Sequence, residues 1–470
     1  MNKKQSLKIN SVIYMVRNIM NIIFPLITFK YAALTINANG IGAVNYSSAI
    51  VSYFGLIAQL GINTFAISEG SKCRNNKIAF QNFTNSMFTL NLLSTFIAYI
   101  FLFLTILFAS SLYEYRILIV IYSFTIIATT ISMEWLFIIL ERFAYITIRS
   151  VIFQIISIVL LFIFVKSEND VIWYAILSVF ASSASSILNL CYANRLIRIK
   201  FVKISNIYQY IKPVFVIWIS NVASLIYINA DTILLGILKG NYEVGIYSAA
   251  TKIVKAVCVP ITTVCTVSAP SLAANISKKD NEVNQLAHSV INFMSFFIFP
   301  SLLFTYLLAK EAILFLSGPE FLDGLEATRI LDIDILLSPL NGFLVNQILI
   351  PAKKERISMY AMIIAAIFNI VFDILLIPIL GINGAAIATV LSELIVLVVC
   401  IKHVSKVLDL YTVFSDTYIF LFSSFIIIPI WYVFTLLNIN YIIRCLLTVM
   451  TSAFFYYLFI RLFKLNINKK

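Results

Sequence analysis

Residues 357–401 read ISMYAMIIAAIFNIVFDILLIPILGINGAAIATVLSELIVLVVCI. The runs near 357–379 and 382–401 are each long enough to cross a bilayer core, which takes about 20 residues of helix. Between them Gly381-Ile382-Asn383-Gly384, following Pro378, supplies the residue types of a tight turn. Backbone groups in lipid must be hydrogen-bonded within the protein, so runs of this length are helical. The stretch is a transmembrane hairpin, and its only acids, Asp373 and Glu393, fall inside the two spans.

Outward from this hairpin the same pattern fills 470 residues, 61% of them hydrophobic and 12% charged. A soluble enzyme is excluded, because soluble domains carry about a quarter charged residues. Apolar runs predict the other spans near 11–29, 43–68, 83–109, 117–139, 145–165, 171–193, 211–236, 243–268, 287–309, 330–350, 417–437 and 441–460. The expected fold class is an all-α polytopic membrane protein with about 14 transmembrane helices. MNKKQSLKIN runs into an apolar segment without a small-residue cleavage pattern, which predicts a retained first helix.

The net charge of +13 comes from 34 Lys and Arg against 21 Asp and Glu. With the amino terminus in the cytoplasm, only Lys30, Arg116, Lys166, Lys239, Lys310 and Arg329 fall in outer segments. Arg17, Lys252, Lys255 and Arg444 lie within spans, and the remaining 24 are on the inner side. This bias predicts cytoplasmic termini and a chain that meets the lipid bilayer rather than nucleic acid.

NYSSAIVSYFG, from Asn45, is echoed by IYSAATKIVKA, from Ile246, at an offset of 201 residues. An offset of six spans keeps orientation, so the repeats are parallel. They predict six-helix lobes over 1–206 and 207–402, with an additional hairpin and tail over 403–470.

Polar residues recur at helical spacing on four spans. Arg17, Asn21 and Thr28 mark the first, Ser52 and Gln59 the second, Ser224 and Asp231 the seventh, and Lys252 and Lys255 the eighth. Basic groups near mid-membrane cost about 2.5–3.5 kcal/mol even on lenient scales, so these stripes face water or protein. Two lysines one turn apart repel unless acids or anions compensate, which suits a multiply negative transported group such as a pyrophosphate. Arg17, Asn21, Ser52, Gln59, Ser224, Lys252 and Lys255 are the candidate substrate-binding residues. Buried pairing with Glu134, Asp231, Asp373 or Glu393 would instead make the charges a packing device.

Asp373 and Glu393 are candidates for H⁺ or Na⁺ coupling, or for neutralising a lysine. Lys30 and Asp231 differ by the repeat offset, lie near outer span ends, and are expected to form a gate pair. Asp332 and Asp334 are expected at the outer end of span ten, where interfacial water makes them inexpensive. No GxxxxGK[ST] motif, metal-ligand spacing or disulfide framework occurs, so no cofactor or metal is expected.

From Pro319 to Val399, with Asn346-Gln347-Ile348-Leu349, Asn369, Ile377-Pro378, Gly381, Gly384-Ala385-Ala386 and Glu393, the chain resembles the polysaccharide-biosynthesis flippases. These are a branch of the multidrug/oligosaccharidyl-lipid/polysaccharide exporter superfamily. Asp231–Ile253 and Gly40–Ile62 carry further likeness, within a resemblance that spans about residues 10–460. It implies a MATE-like fold of two six-helix lobes around a cavity that opens alternately, plus a carboxy-terminal helix pair. It further implies flipping of an undecaprenyl-diphosphate-linked oligosaccharide across a bacterial inner membrane for O-antigen or capsule synthesis, alongside other surface-polysaccharide assembly proteins. Arg17 then resembles the cationic first-helix residue of related lipid-diphosphate flippases. Ser68 precedes Glu69 where the family often has Arg, which weakens a role for that pair. The rival readings are a cation-coupled multidrug exporter of the same fold and a polysaccharide polymerase. The former fits its cationic substrates poorly with Arg17, Lys252 and Lys255, and the latter would need a larger external catalytic loop.

Overall fold

A computed structural model describes residues 7–203, 207–278, 282–437 and 440–467. They are helical almost throughout, in two compact units that divide at Gly236 and Ile237.

The first unit contains α1 (Leu7–Gln59), α2 (Ile62–Cys73), α3 (Lys77–Phe108), α4 (Arg116–Ser132), α5 (Glu134–Ile139), α6 (Phe143–Phe164), α7 (Val171–Ser183), α8 (Ser185–Ile197) and most of α9 (Tyr208–Leu238). The expected loop between the first two spans is a single-residue break within α1 at Asn37, which has φ 58. Its Oδ1 accepts from the Gly40 amide at 3.2 Å, capping the helix that follows. A second break, at Leu60 and Gly61, strands the last carbonyls of the helix. Asn91 Nδ2 donates to the Ala58 carbonyl at 2.8 Å, Ser94 donates to the same oxygen, and Trp218 Nε1 donates to Leu56 O at 3.0 Å. Phe65, Phe80, Phe83, Met87, Trp135 and Phe137 pack around α2, α3 and α5 as an apolar core.

The second unit contains α10 (Asn241–Lys278), α11 (Glu282–Leu307), α12 (Ala309–Leu316), α13 (Leu325–Leu331), α14 (Asp334–Gly342), α15 (Glu355–Leu380), α16 (Ile382–Val404), α17 (Leu410–Val413), α18 (Thr417–Ser424), α19 (Ile427–Leu436) and α20 (Tyr441–Ile467). A π-helical turn, Phe343–Leu349, extends α14. Every fourth residue of α15 from Ala361 to Ile377 (Ala361, Ala365, Asn369, Asp373, Ile377) is fully buried, and the helix packs against α16, whose small residues Ala385, Ala386 and Ala388 are fully buried too. Gly381 turns the chain at φ +57, and a Cβ on Gly384 would lie 2.5 Å from the Leu376 carbonyl oxygen, so the hairpin closes only with glycine there.

Among the described residues, twelve helical segments are long and apolar enough to cross a membrane. One of them holds both spans of α1, and span ten, split among α13, α14 and the π turn, falls outside the twelve. The expected all-α bundle of about fourteen crossings is therefore the architecture observed. Span ten begins at Leu325 rather than near 330, because Glu326 and Arg329 satisfy each other across one turn at 2.9 Å and do not end the helix. The 206/207 boundary rests on sequence offset and the 236/237 division on packing. α9 packs with the first unit through Trp218 and Asn229.

Candidate functional site

In the first unit the polar stripe of α1 is held by other helices. Ser52 Oγ accepts from Asn229 Nδ2 at 3.1 Å, which fixes span two to span seven, and Ser52 itself donates to Ala49 O. Asn21 is exposed on one side while its Oδ1 accepts from Gln154 of α6 at 3.1 Å. Gln59 is half-buried and takes a bond from Asn63 at 3.4 Å, and Ser224 is half-buried on α9. The side chain of Arg17 lies outside the described residues. Lys30 is half-buried on α1, while Asp231 is 6% exposed and lies beside Tyr53.

In the second unit Lys252 is half-buried and Lys255 exposed, one turn apart on α10. Asn341 of α14 donates through Nδ2 to both the Glu393 carbonyl, at 2.9 Å, and the Glu393 carboxylate. Asp373 and Asn369, one turn apart on the α15 ridge, are both fully buried. On α16, Thr389 shares a 3.0 Å hydrogen bond with the Tyr247 hydroxyl.

Asp332 and Asp334 depart from expectation. They lie about two turns inside span ten, and Asp332 is 1% exposed. Cys258 Sγ is 3.9 Å from the Asp334 carbonyl and within electrostatic reach of Asp332, Asp334, Glu393 and Lys255. The helical spacing from Leu325 onward carried this signal, but the charge of Glu326 and Arg329 disguised it. Arg444 of α20, which the sequence places only within a span, pairs with the buried Glu311 of α12. A bond between residues 133 positions apart has no signature in local spacing.

The chain shares its fold with the lipid II flippase MurJ in an inward closed conformation, at a TM-score of 0.76 and 17% identity over 96% of this chain and 99% of that one. It also matches an inward-facing multidrug resistance MATE family transporter of the MOP superfamily, at a TM-score of 0.65 and 15% identity, covering 84% and 98%. Two curated proteins, each called "Putative O-antigen transporter", are similar in sequence. The one from Escherichia coli (strain K12) is 25% identical over 53% of this chain, and the match spans 61% of that protein. The one from Shigella dysenteriae is 24% identical over 82% of this chain and 96% of its own length. The MatE family matches residues 217–375. Because the family described as "Polysaccharide biosynthesis protein" matches residues 7–276, more than half of its length, the chain belongs to that family.

Proposed function

We propose that the chain is a flippase that moves an undecaprenyl-diphosphate-linked oligosaccharide from the cytoplasmic to the outer leaflet of a bacterial inner membrane, for O-antigen or capsule synthesis. The family match over residues 7–276 carries this reading, and the likeness to the Shigella dysenteriae relative supports it. Both termini are cytoplasmic, in keeping with the distribution of Lys and Arg.

Lys252 and Lys255, with Arg17, hold the diphosphate, while Asn21, Ser52, Gln59 and Ser224 meet the sugars and the prenyl tail stays in lipid. Moving the head group breaks no covalent bond, so the work of the protein is to replace water around charge and hydroxyls. Asp373 and Glu393 are the carboxylates that couple this movement to H⁺ or Na⁺, and Lys30 with Asp231 forms an outer gate. The repeat lobes run over 1–206 and 207–402, with 403–470 as an added hairpin and tail.

The test is lipid analysis of a deletion strain complemented with wild type or Lys255→Ala. The deletion accumulates a lipid-linked repeat unit on the cytoplasmic side, and wild type clears it. Lys255→Ala clears it more slowly at unchanged protein level. Absence of an accumulated intermediate, together with efflux of cationic dyes by the wild type, would replace this reading with drug export, the reading that the MatE match favours.

A further inference from the structure

We propose that the groove between α4 and the α7–α8 pair, together with a basic strap that crosses below it, is a binding site for one anionic phospholipid of the adjoining leaflet. The groove encloses about 470 Å³, within the range of about 300–1,000 Å³ that small-molecule sites occupy. Ala128 and Val179 are buried in its floor, and Phe124 and Ile187, 59% and 62% exposed, stand in its walls. Ala184, where α7 gives way to α8, has too small a side chain to fill it. Apart from Ser183 the lining is apolar, so it accepts a hydrocarbon chain and offers nothing to a sugar or a phosphate.

Residues 198–203 leave α8 without helical structure, and side chains take up their amides. Ile199 N donates to Asn194 Oδ1 at 2.9 Å, Lys200 N to Asn85 Oδ1 at 3.0 Å and Val202 N to Thr89 Oγ1 at 3.2 Å. Asn85 and Thr89 belong to α3, so this strap runs from α8 to α3. α4 stands between those two helices, bonded to α8 through Ser132 and Asn189 and to α3 through Thr130 and Thr95. The strap therefore crosses beneath the foot of α4, below the end of the groove at Ile131 and Ile187. Thr89 lies six residues before Thr95 on α3, a drop of about 9 Å that the glycerol and ester groups of a phospholipid can span. The exposed Cys191 and Asn194 continue the face of Ile187 down α8 to Arg198. With its amides tied to α3, the strap leaves Lys200 and Lys203 exposed beside Arg195 and Arg198, and Phe201, 77% exposed, has its ring 6.3 Å from that of Phe88. Between Asp170 and Asp231 the chain has no acid and five cations, the fifth being Lys212. Glu69 and Glu141 at this end of the unit are paired with Lys72 and Arg74, and Glu134, which opens α5, offsets only one charge. Clustered basic groups beside an interfacial aromatic attract anionic lipid, so the groove takes a chain and the strap selects the head group that comes with it.

Native mass spectrometry tests this on the full-length protein, delipidated in detergent and offered equal amounts of phosphatidylglycerol, phosphatidylethanolamine and undecaprenyl phosphate. Wild type should retain one phosphatidylglycerol about fivefold or more over phosphatidylethanolamine, the factor expected for a basic residue at a bilayer surface. Lys200→Gln with Lys203→Gln, both exposed and outside the packed helices, should bring that ratio toward one. Ala184→Phe, which fills the groove, should abolish the retained phosphatidylglycerol. Equal retention of the two phospholipids by wild type, or a preference that survives either variant, would overturn the proposal. A dimer that Ala184→Phe dissociates would give the groove to a second copy, and loss of undecaprenyl phosphate alone in that variant would give it to a prenyl tail; either overturns it too. No transport is measured, so the outcome is independent of the flippase reading.

Discussion

Between residues 7 and 236 the interior is joined mainly by neutral groups, whereas the unit from 237 onward buries carboxylates. In the first unit Thr95 and Thr130 share a 2.7 Å bond, Asn189 donates to Ser132 at 2.8 Å, and Asn91 and Ser94 both serve Ala58 O. Among the described residues, Arg149 and Asp231 are its buried charges. The second unit buries Glu311, Asp332, Asp373 and Glu393. Neutral bonds keep their strength at any ordinary pH, while a buried acid requires a partner, a proton or water. The contrast separates a scaffold joined by neutral bonds from a unit that holds acids in its interior. Intramembrane carboxylates are costly enough that their concentration in one unit points to function.

The largest test strikes the buried ion pair. Arg444→Met leaves Glu311 without its cation and should cost about 3 kcal/mol or more, because a stranded buried charge is far worse than the absence of a pair. Thermal unfolding in detergent measures it, and adding Glu311→Gln should restore most of the loss. A mild effect of Arg444→Met alone would show that Glu311 is hydrated, and would weaken the contrast between the units.

Next comes Asn341→Ala, which strips a donor from Glu393 and should cost about 2 kcal/mol. In a double-mutant cycle with Glu393→Gln, a coupling of at least about 1 kcal/mol is expected. Additive losses would mean that Asn341 acts only through packing. In the first unit, Asn91→Ala should cost about 1 kcal/mol, because Ser94 still serves the Ala58 carbonyl. Asn91→Ala with Ser94→Ala should cost more than the two singles combined, to the same extent at pH 6 and pH 8. A marked pH dependence there would break the comparison.

How far these groups could be read from sequence follows from what fixes them. Lipid enforces apolar runs, so the hairpin at 357–401 and most other spans were visible as hydropathy. That the break between the first two spans takes a single residue, Asn37, was not, because helix continues on both sides of it and one capping residue suffices. Charge at Glu326 and Arg329 hid the start of span ten. Helical spacing gathered Asn21, Ser52 and Gln59 onto polar faces, but it could not supply their partners. Gln154, Asn229 and Asn341 reach their targets across 133, 177 and 52 positions. Those pairings depend on which helices become neighbours.

The smallest expected effect concerns charge at the rim of the first unit. Lys72 and Glu69 approach to 2.6 Å, but their side chains are 67% and 40% exposed, so ordering two long side chains offsets the Coulomb gain. Lys72→Ala should change stability by no more than about 0.5 kcal/mol, and added salt should erase the difference. Arg74 is only two positions away, but its Nη1 donates both to Glu141, at 2.7 Å, and to the Ile139 carbonyl, at 3.3 Å. Ile139 ends α5, so its carbonyl lacks a helical partner and Arg74 supplies one. Arg74→Ala should therefore cost about 1 kcal/mol, part of it surviving high salt because a capping bond is lost with the ion pair. Arg74→Lys should recover the salt-sensitive part and little of the rest, since one ammonium on a flexible stem reaches both acceptors poorly. If Lys72→Ala and Arg74→Ala prove equal and vanish together in salt, charge in the first unit is a solvated surface feature even where it touches backbone.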